Sequence, residues 1–343
     1  MFTPDHKDVV TARRLQKDLN NKALVAQRMG VSVSKVHRLL AVPDTQEPEQ
    51  ERPNLPVFPN ADIPAEDILD HMETRFKQRL KHDEARKWFK IKMPTDKPMA
   101  LAFVGDPHIG DNGCNVTLLR EDCATMASTE GLHAINLGDT TNNWGGYLVK
   151  LYAEQDSSRM TERRLARWFL QESGVPWLAW LQGNHDMMDG EFSTYLRTLN
   201  AHEIPMLDWR AQFKLCFPNG KEARIDAAHN HKGTSIYNKL HGQKRAALWE
   251  EDADVYVAGH HHNSAITQEE LDDGRWVTMM RARGYKWLDH WANLHQFRNN
   301  RHGATVVIVV DPEAESPTEF IHPFADLKTG ARYLTQLRND RRA

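Results

Sequence analysis

The stretch "DVYVAGHHHN", residues 254–263, joins a short apolar run to a glycine and three consecutive histidines. An apolar run of this length that ends in a glycine predicts a buried strand followed by a sharp turn. Two interpretations are open for the histidines: a His-rich surface turn, or a metal site at the end of the strand. The rest of the chain has to decide between them.

The composition is that of an ordinary soluble protein with more than one domain. The chain has 343 residues, of which 40% are hydrophobic and 27% are charged. It contains no run of 18 apolar residues and no apolar core near its first residue, so we expect neither a membrane partner nor a secretory signal. The scattered cysteines predict free thiols in a reducing cytoplasm; they are Cys114, Cys123 and Cys216. The net charge is only −3, so any contact with nucleic acid must be local.

Residues 1–42 are basic and predict a small helical domain. The stretch "KALVAQRMGVSVSKVHRLL", residues 22–40, contains two amphipathic helices separated by Gly30, with Ser32 or Ser34 as cap of the second. The pattern resembles a helix-turn-helix DNA-binding unit. The exposed face of its second helix would carry the DNA contacts, which are Ser34, Lys35, His37 and Arg38. The alternative is a helical bundle that has no DNA role or that serves protein contacts.

The next two segments connect this unit to the rest of the chain. Residues 43–64 are rich in proline and acidic side chains and predict an extended linker. Residues 65–96 predict an amphipathic connecting helix, whose apolar stripe is Ile68, Met72, Phe76 and Leu80. We expect the stripe to pack on the following domain, and self-association into a homodimer is the alternative.

Residues 97–325 alternate between short apolar runs and helical stretches, which predicts an α/β domain. Each run ends in a glycine or in polar residues; the runs are "MALAFVG", "HAINLG", "VPWLAWLQG", "ARIDAAH", "DVYVAGH", "WVTMMR" and "ATVVIVV". Residues 157–173 predict one of the intervening helices. Residues 326–343 predict a closing helix with a basic tail.

Five of the predicted strand ends carry residues of the types that bind metals. They are Asp106 and His108, Asp139, Asn184 to Asp186, His229 and His231, and His260 to His262. Any one of them is more often a surface turn, but five in succession at the carboxyl ends of apolar strands indicate a metal site. Oxygen and imidazole ligands without a thiolate suit Mn²⁺, Fe or Zn²⁺. A single aspartate can bridge two such ions at about 3.5–4 Å.

The order D-x-H, G-D, G-N-H-D, H, G-H-x-H resembles the calcineurin-like metallophosphoesterases, over roughly residues 98–324. The resemblance implies a four-layer α/β/β/α sandwich, here preceded by the small all-α helix-turn-helix domain. It also implies two divalent ions, with Mn²⁺ as first choice and Fe or Zn²⁺ as alternatives. The implied activity is hydrolysis of a phosphoester by metal-activated water.

The resemblance also implies a role for each matching residue. One metal would be held by Asp106, His108 and His262, the other by Asn184, His229 and His260, with Asp139 as the bridge between them. His185 would act as general acid or as hydrogen-bond donor to the phosphoryl oxygen, and Asp186 would orient its ring.

Two histidines are left outside this set. Alternation along an extended chain turns His261 away from its neighbours, so it is expected to be a bystander. His229 is preferred over His231 because it follows the predicted strand directly.

The nature of the substrate remains open between two classes. A DNA-directed nuclease would use the N-terminal arm to reach its substrate, whereas a small-molecule phosphatase or phosphodiesterase would use that arm for regulation or assembly. A DNA-binding protein with an inactive esterase fold is disfavoured, because every ligand position is filled. The second block lacks an arginine and the third reads "GNHD" rather than "GNHE", which points away from protein phosphatases.

Two basic and aromatic stretches, residues 232–251 and 281–303, are candidates for contact with a nucleic-acid backbone. The alternative for the first is a solvated helix face beside a core tyrosine, Tyr237. In the second, Trp287 and Trp291 are spaced as in ordinary helix packing.

Overall fold

The computed structural model describes residues 5–43, 63–85, 88–200, 203–250, 252–288 and 303–341. The chain divides into two compact units at His71. Most of the predicted linker, and Trp291, lie outside the described residues. Within those ranges, no helix is long and apolar enough to cross a membrane.

The N-terminal unit consists of three helices, α1 (His6–Leu19), α2 (Lys22–Met29) and α3 (Val33–Leu40). The turn between α2 and α3 depends on Gly30, whose φ of +64° is strained for other residues. Ser32, and not Ser34, caps α3, because its side chain accepts a hydrogen bond from the Lys35 N–H at 3.2 Å. The two predicted helices are therefore present.

The connecting helix, α4 (Ala65–Ala85), is shorter than the predicted segment 65–96. Phe89 and Ile91 alternate with lysines, a period of two that favours a strand, and residues 89–92 join a sheet as β1. The side chains of the apolar stripe on α4 are 46–65% exposed.

Two six-stranded sheets form the larger unit within the described residues. The first contains, from edge to edge, β12 (Ile321–Phe324), β11 (Val306–Val310), β2 (Met99–Val104), β3 (Leu132–Asn136), β4 (Trp177–Gln182) and β5 (Met206–Asp208). The second contains β1 (Phe89–Lys92), β6 (Arg210–Cys216), β7 (Glu222–Ala228), β8 (Val255–Ala258), β10 (Trp276–Arg281) and β9 (Ala265–Glu270). All seven predicted apolar runs are strands. Strands β2 to β5 are parallel to one another, as are β7, β8 and β10.

The sheets pack face to face, with helices on their outer faces. Along β2, Leu101 and Phe103 lie in the core between the sheets, while Ala100 and Ala102 lie in the core under the helices. The helices that contribute to this outer core are α5 (Val116–Ser128), α6 (Arg159–Arg167), α8 (Gly190–Asn200) and α11 (Leu327–Asp340). The second sheet is covered by α9 (His241–Trp249). The α/β/β/α sandwich is thus confirmed.

Four smaller helical segments belong to the larger unit within the described residues: a 3₁₀ segment over Gly146–Glu154, a π-helical segment over Trp168–Glu172, α7 (Asn184–Met188) and α10 (Pro317–Phe320). The C-terminal helix α11 was predicted as a separate closing segment. Its Leu334 is fully buried in the core of the first sheet, so α11 is part of the sandwich.

A buried polar group links α5 to the loop before β11. The hydroxyl of Tyr285 lies 2.6 Å from Asp122 Oδ2 and 2.6 Å from Thr305 Oγ1, and all three residues are buried. Burial raises the pKa of Asp122 to about 6, because a charged carboxylate loses its hydration there. The folded state therefore binds this proton more tightly than the unfolded chain does.

This pKa shift predicts a pH-dependent effect of Asp122→Asn. Because the folded pKa is raised, the contribution of Asp122 to stability is fully present below about pH 4 and is lost as the pH rises through 6. Asparagine stays neutral at every pH. Raising the pH from 4 to 7 should therefore increase the free energy of unfolding of the variant, relative to that of the wild type, by about 2 kcal/mol. Urea titrations at several pH values measure this difference, and a difference independent of pH would contradict the shift.

Candidate metal centre

The ends of five strands meet at one edge of the sandwich. Strands β2, β3 and β4 are parallel neighbours in the first sheet, and β7 and β8 are parallel neighbours in the second. Parallel neighbours end at the same edge, so the residues that follow them come together although they are distant in sequence. These residues are Asp106 and His108 after β2, Asp139 after β3, Asn184 after β4, His229 after β7, and His260 and His262 after β8.

The side chains form two groups that meet at Asp139. Ligand atoms of Asp106, His108 and His262 lie within 4.8 Å of one another, and so do those of Asp139, His229 and His260. Asn184 Oδ1 lies 2.9 Å from His229 Nε2, which adds it to the second group.

Asp139 Oδ2 lies 3.3 Å from His229 Nε2 and 3.9 Å from His108 Nε2, between the two groups. The structure therefore brings together all seven residues assigned by the resemblance, with Asp139 in the bridging position.

Five of these seven residues have a left-handed backbone. The φ angles are +48° at Asp106, +44° at His108, +55° at Asp139, +67° at His260 and +46° at His262. Such conformations cost of order 1–3 kcal/mol each for residues other than glycine, and they persist where the surroundings leave no alternative. The concentration of this strain at one edge of the sandwich is typical of a functional site.

Hydrogen bonds orient two of the imidazole rings. His108 Nδ1 lies 2.9 Å from Asn142 Oδ1, and His229 Nδ1 lies 2.8 Å from the carbonyl oxygen of Leu137. The Asn142 amide nitrogen donates to Asp111 and Gln155, so its oxygen faces His108. An oxygen can only accept, so each Nδ1 carries a proton, and each Nε2 faces the cluster as the atom available to a metal.

The buried polar atoms fit a pair of divalent ions. Asp106 Oδ1 and His108 Nε2 are buried without a hydrogen-bond partner among the described residues. His229 Nε2 and His260 Nδ1 are only 3.1 Å apart, a spacing at which two lone pairs repel unless a proton or a cation lies between them. Carboxylate and amide oxygens with four imidazoles are ligands that Mn²⁺, Fe and Zn²⁺ accept.

The two aspartates in the cluster differ electrostatically. Burial raises the pKa of Asp106 to about 8, because removal from water disfavours the carboxylate. Burial acts in the same direction on Asp139, but the neighbouring imidazoles, His229 foremost, outweigh it and lower the pKa of Asp139 below its ordinary value. The imidazoles therefore favour the charged form of Asp139, whereas burial favours the neutral form of Asp106.

His185 lies beside Asp139, as a candidate acid should. Its backbone N–H donates to Asp139 Oδ1 at 2.8 Å, and its Nδ1 lies 2.6 Å from the carbonyl oxygen of Asn142. One of its ring nitrogens lies within 4.8 Å of the ligand atoms of His108 and Asp139. With Nδ1–H bound to a carbonyl, the other nitrogen is left for a ligand or a substrate.

Asp186 does not orient the His185 ring, and that expectation is corrected. Its carboxylate accepts hydrogen bonds from the N–H groups of Asp139 at 2.7 Å, Thr140 at 3.0 Å and Gly183 at 3.0 Å. Because α7 begins at Asn184, residues 185 and 186 point in different directions from its first turn. Asp186 therefore ties the end of β3 to the end of β4.

The histidines next to candidate ligands lie outside both groups. His231 Nε2 lies 3.3 Å from the buried Asp226, beneath α9, so His229 and not His231 joins the cluster. His261 contacts His260 edge-on with ring centroids 4.9 Å apart, but it contributes no atom to either group.

Sequence reasoning missed a second layer of residues around His185. The Lys286 ammonium pairs with Asp111 at 3.0 Å and lies 5.4 Å from the centre of the Trp144 ring. Trp144 in turn contacts His185, with ring centroids 5.1 Å apart. No local pattern marks these residues, because their contacts depend on three loops meeting. Only the basic and aromatic character of residues 281–303 indicated that Lys286 lies near a site.

The candidate DNA contacts on α3 differ in exposure. Ser34, His37 and Arg38 are exposed, whereas Lys35 is half-buried and pairs with Asp8 at 3.1 Å. Arg38 Nε also donates to the carbonyl oxygen of Ser34 at 3.3 Å. The exposed face of α3 is therefore centred on Ser34, His37 and Arg38.

The basic stretch before and along α9 is only partly available to a ligand. Lys244 pairs with Glu269 at 2.9 Å and Arg245 pairs with Glu250 at 3.2 Å, as on an ordinary solvated helix face. Tyr237 is 93% exposed, so the expectation of a core tyrosine is wrong.

The sequence matches no protein family profile and no curated protein. Among solved structures, it is similar to Vps29 from Entamoeba histolytica complexed with zinc, at 11% identity over 66% of this chain and 97% of that one, with a TM-score of 0.32. It is also similar to a metallophosphoesterase from Sphaerobacter thermophilus, at 12% identity over 69% of this chain and 93% of that one, with a TM-score of 0.32. The nuclease MPE from Pseudomonas putida is 16% identical over 65% of this chain and 87% of its own, with a TM-score of 0.29.

The architecture agrees with the fold that the sequence resemblance to the calcineurin-like metallophosphoesterases implies. It has two mixed sheets packed face to face, helices on both outer faces and seven residues with metal-binding side chains at the strand ends.

The cluster predicts that Mn²⁺ stabilises the protein through His229 and not through His231. At 100 times its Kd, a ligand of the folded state adds about 2.7 kcal/mol, which raises the Tm by several degrees in a protein of this size. His229→Gln should reduce this Mn²⁺-induced shift strongly. His231→Gln should keep it, since glutamine can still donate to Asp226. Calorimetry and metal analysis measure both effects, and a shift lost only in His231→Gln would contradict the assignment.

Proposed function

We propose that this protein is a two-metal phosphoesterase that hydrolyses phosphodiester bonds in DNA. The observation that carries the proposal is the pair of ligand groups that meet at the buried Asp139, with His185 beside them. A site that holds two divalent ions next to an acid–base imidazole suits displacement at phosphorus.

The protein residues would contribute positioning and proton transfer. Asp106, His108 and His262 would hold one ion, Asn184, His229 and His260 the other, and Asp139 would contact both. When bound, the ions would activate a water and neutralise charge on the phosphoryl oxygens. His185, whose Nδ1–H is held by the Asn142 carbonyl, would donate from its other nitrogen to the phosphoryl or the leaving oxygen.

The N-terminal unit supports DNA as the substrate. The exposed face of α3 presents Ser34, His37 and Arg38, and α3 follows the turn at Gly30, an order that resembles the recognition helix of a helix-turn-helix unit. Such an arm by itself would bind non-specific DNA weakly, with a Kd of order 10⁻⁴–10⁻⁶ M, so its main effect would be to raise the local concentration of substrate.

Hydrolysis assays with Mn²⁺ test the proposal on labelled single- and double-stranded DNA, beside bis-p-nitrophenyl phosphate and p-nitrophenyl phosphate. Asp139→Asn should abolish turnover of every substrate, because the shared carboxylate loses its charge. Asp273→Asn, on an exposed turn, is its matched control. His37→Ala with Arg38→Ala should raise the KM for DNA several-fold at low salt, while Lys17→Ala on α1 serves as control.

Turnover of DNA that is lost in Asp139→Asn and weakened by the α3 variant would establish the nuclease. Turnover confined to the small esters, and indifferent to the α3 variant, would contradict it. The protein would then be a small-molecule phosphatase or phosphodiesterase.

A further inference from the structure

Trp209 is an exposed aromatic residue whose backbone is part of the metal-site framework. It lies between β5 and β6, where its N–H donates to the carbonyl oxygen of Gln182 at 3.1 Å. Its own carbonyl oxygen accepts the N–H of His229 at 2.7 Å. Gln182 ends β4 just before Asn184, so Trp209 is bound to two of the strand ends that carry candidate ligands.

The side chain of Trp209 lies beside the cluster and faces solvent. Its ring centroid is 6.3 Å from that of His229, and 47% of the residue is exposed. Its φ of +64° is a strained conformation for a residue with a bulky side chain. Folding normally buries an indole, and here a strained backbone holds one at the surface next to a metal-type site.

Trp144, the other tryptophan near the site, has a different environment. Its indole N–H donates to Gln155 at 3.0 Å, and its ring lies against Lys286 and His185. Trp144 is therefore part of the packed surroundings of His185, whereas about half of Trp209 is open to a ligand.

We propose that Trp209 is a stacking site for a nucleobase adjacent to the scissile phosphate. The proposal rests on the function proposed above, since it requires a phosphodiester at the metal centre. A planar indole offers stacking to any base, which gives affinity for a nucleoside without selecting its sequence. The ligand class is a nucleoside phosphodiester, and the site would favour it over a diester that has no base.

The test compares thymidine 5′-(p-nitrophenyl phosphate) with methyl p-nitrophenyl phosphate, which share a leaving group and differ in the base. The wild type should show a kcat/KM ratio that favours the thymidine ester roughly tenfold or more. Trp209→Ala should bring this ratio close to one, and Trp209→Phe should keep most of it because a ring remains. Trp249→Ala, an exposed tryptophan on α9, is the matched control and should keep the whole ratio.

The outcomes separate the stacking site from the phosphoesterase itself. Hydrolysis of both esters with the same ratio in the wild type and in Trp209→Ala would overturn the stacking site and leave the phosphoesterase standing. Hydrolysis of neither ester would overturn the phosphoesterase, and the stacking site with it.

Discussion

The buried negative charge of Asp139 is the interaction around which the candidate site is arranged. His229 approaches it from the second sheet at 3.3 Å, and the N–H of His185 donates to it from the end of β4. An isolated carboxylate would be costly at this depth, and these contacts from both sheets offset the cost. The same charge therefore joins the two sheets at their carboxyl edge and provides the position that two cations can share.

The surrounding residues hold strained strand ends in place. Asp186 binds three backbone N–H groups at the ends of β3 and β4, and Asn142 directs the His108 ring toward the cluster. Five candidate ligands have positive φ, a cost that is offset by the extensive cores on both sides of the first sheet. A rigid sandwich with strained strand ends is the arrangement expected of preorganised ligands.

Much of the fold could be predicted from local pattern, and the exceptions have physical reasons. The seven apolar runs were recognisable because strands buried on both faces are almost wholly hydrophobic. Strand β6 was missed because the predicted strands were continuous apolar runs, whereas β6 alternates buried with half-buried residues. Strand β5 was missed because it has only three residues. β12 was missed because it contains Pro323. The helix predicted to run to residue 96 stops earlier, because Phe89 to Lys92 follow the period of a strand and pair with β6.

The sequence by itself determined the kinds of ligand and their order along the chain, because each ligand follows a recognisable apolar strand and usually a glycine. Only the tertiary structure decided which atoms meet. The N–H of His260 donates to Asp106 across 154 residues of sequence, and His229 rather than His231 enters the cluster. The role of Asp186 was decided in the same way, since a side chain in the first turn of a helix points toward whatever backbone the fold brings there. Those contacts depend on how two sheets pack, which no local pattern specifies.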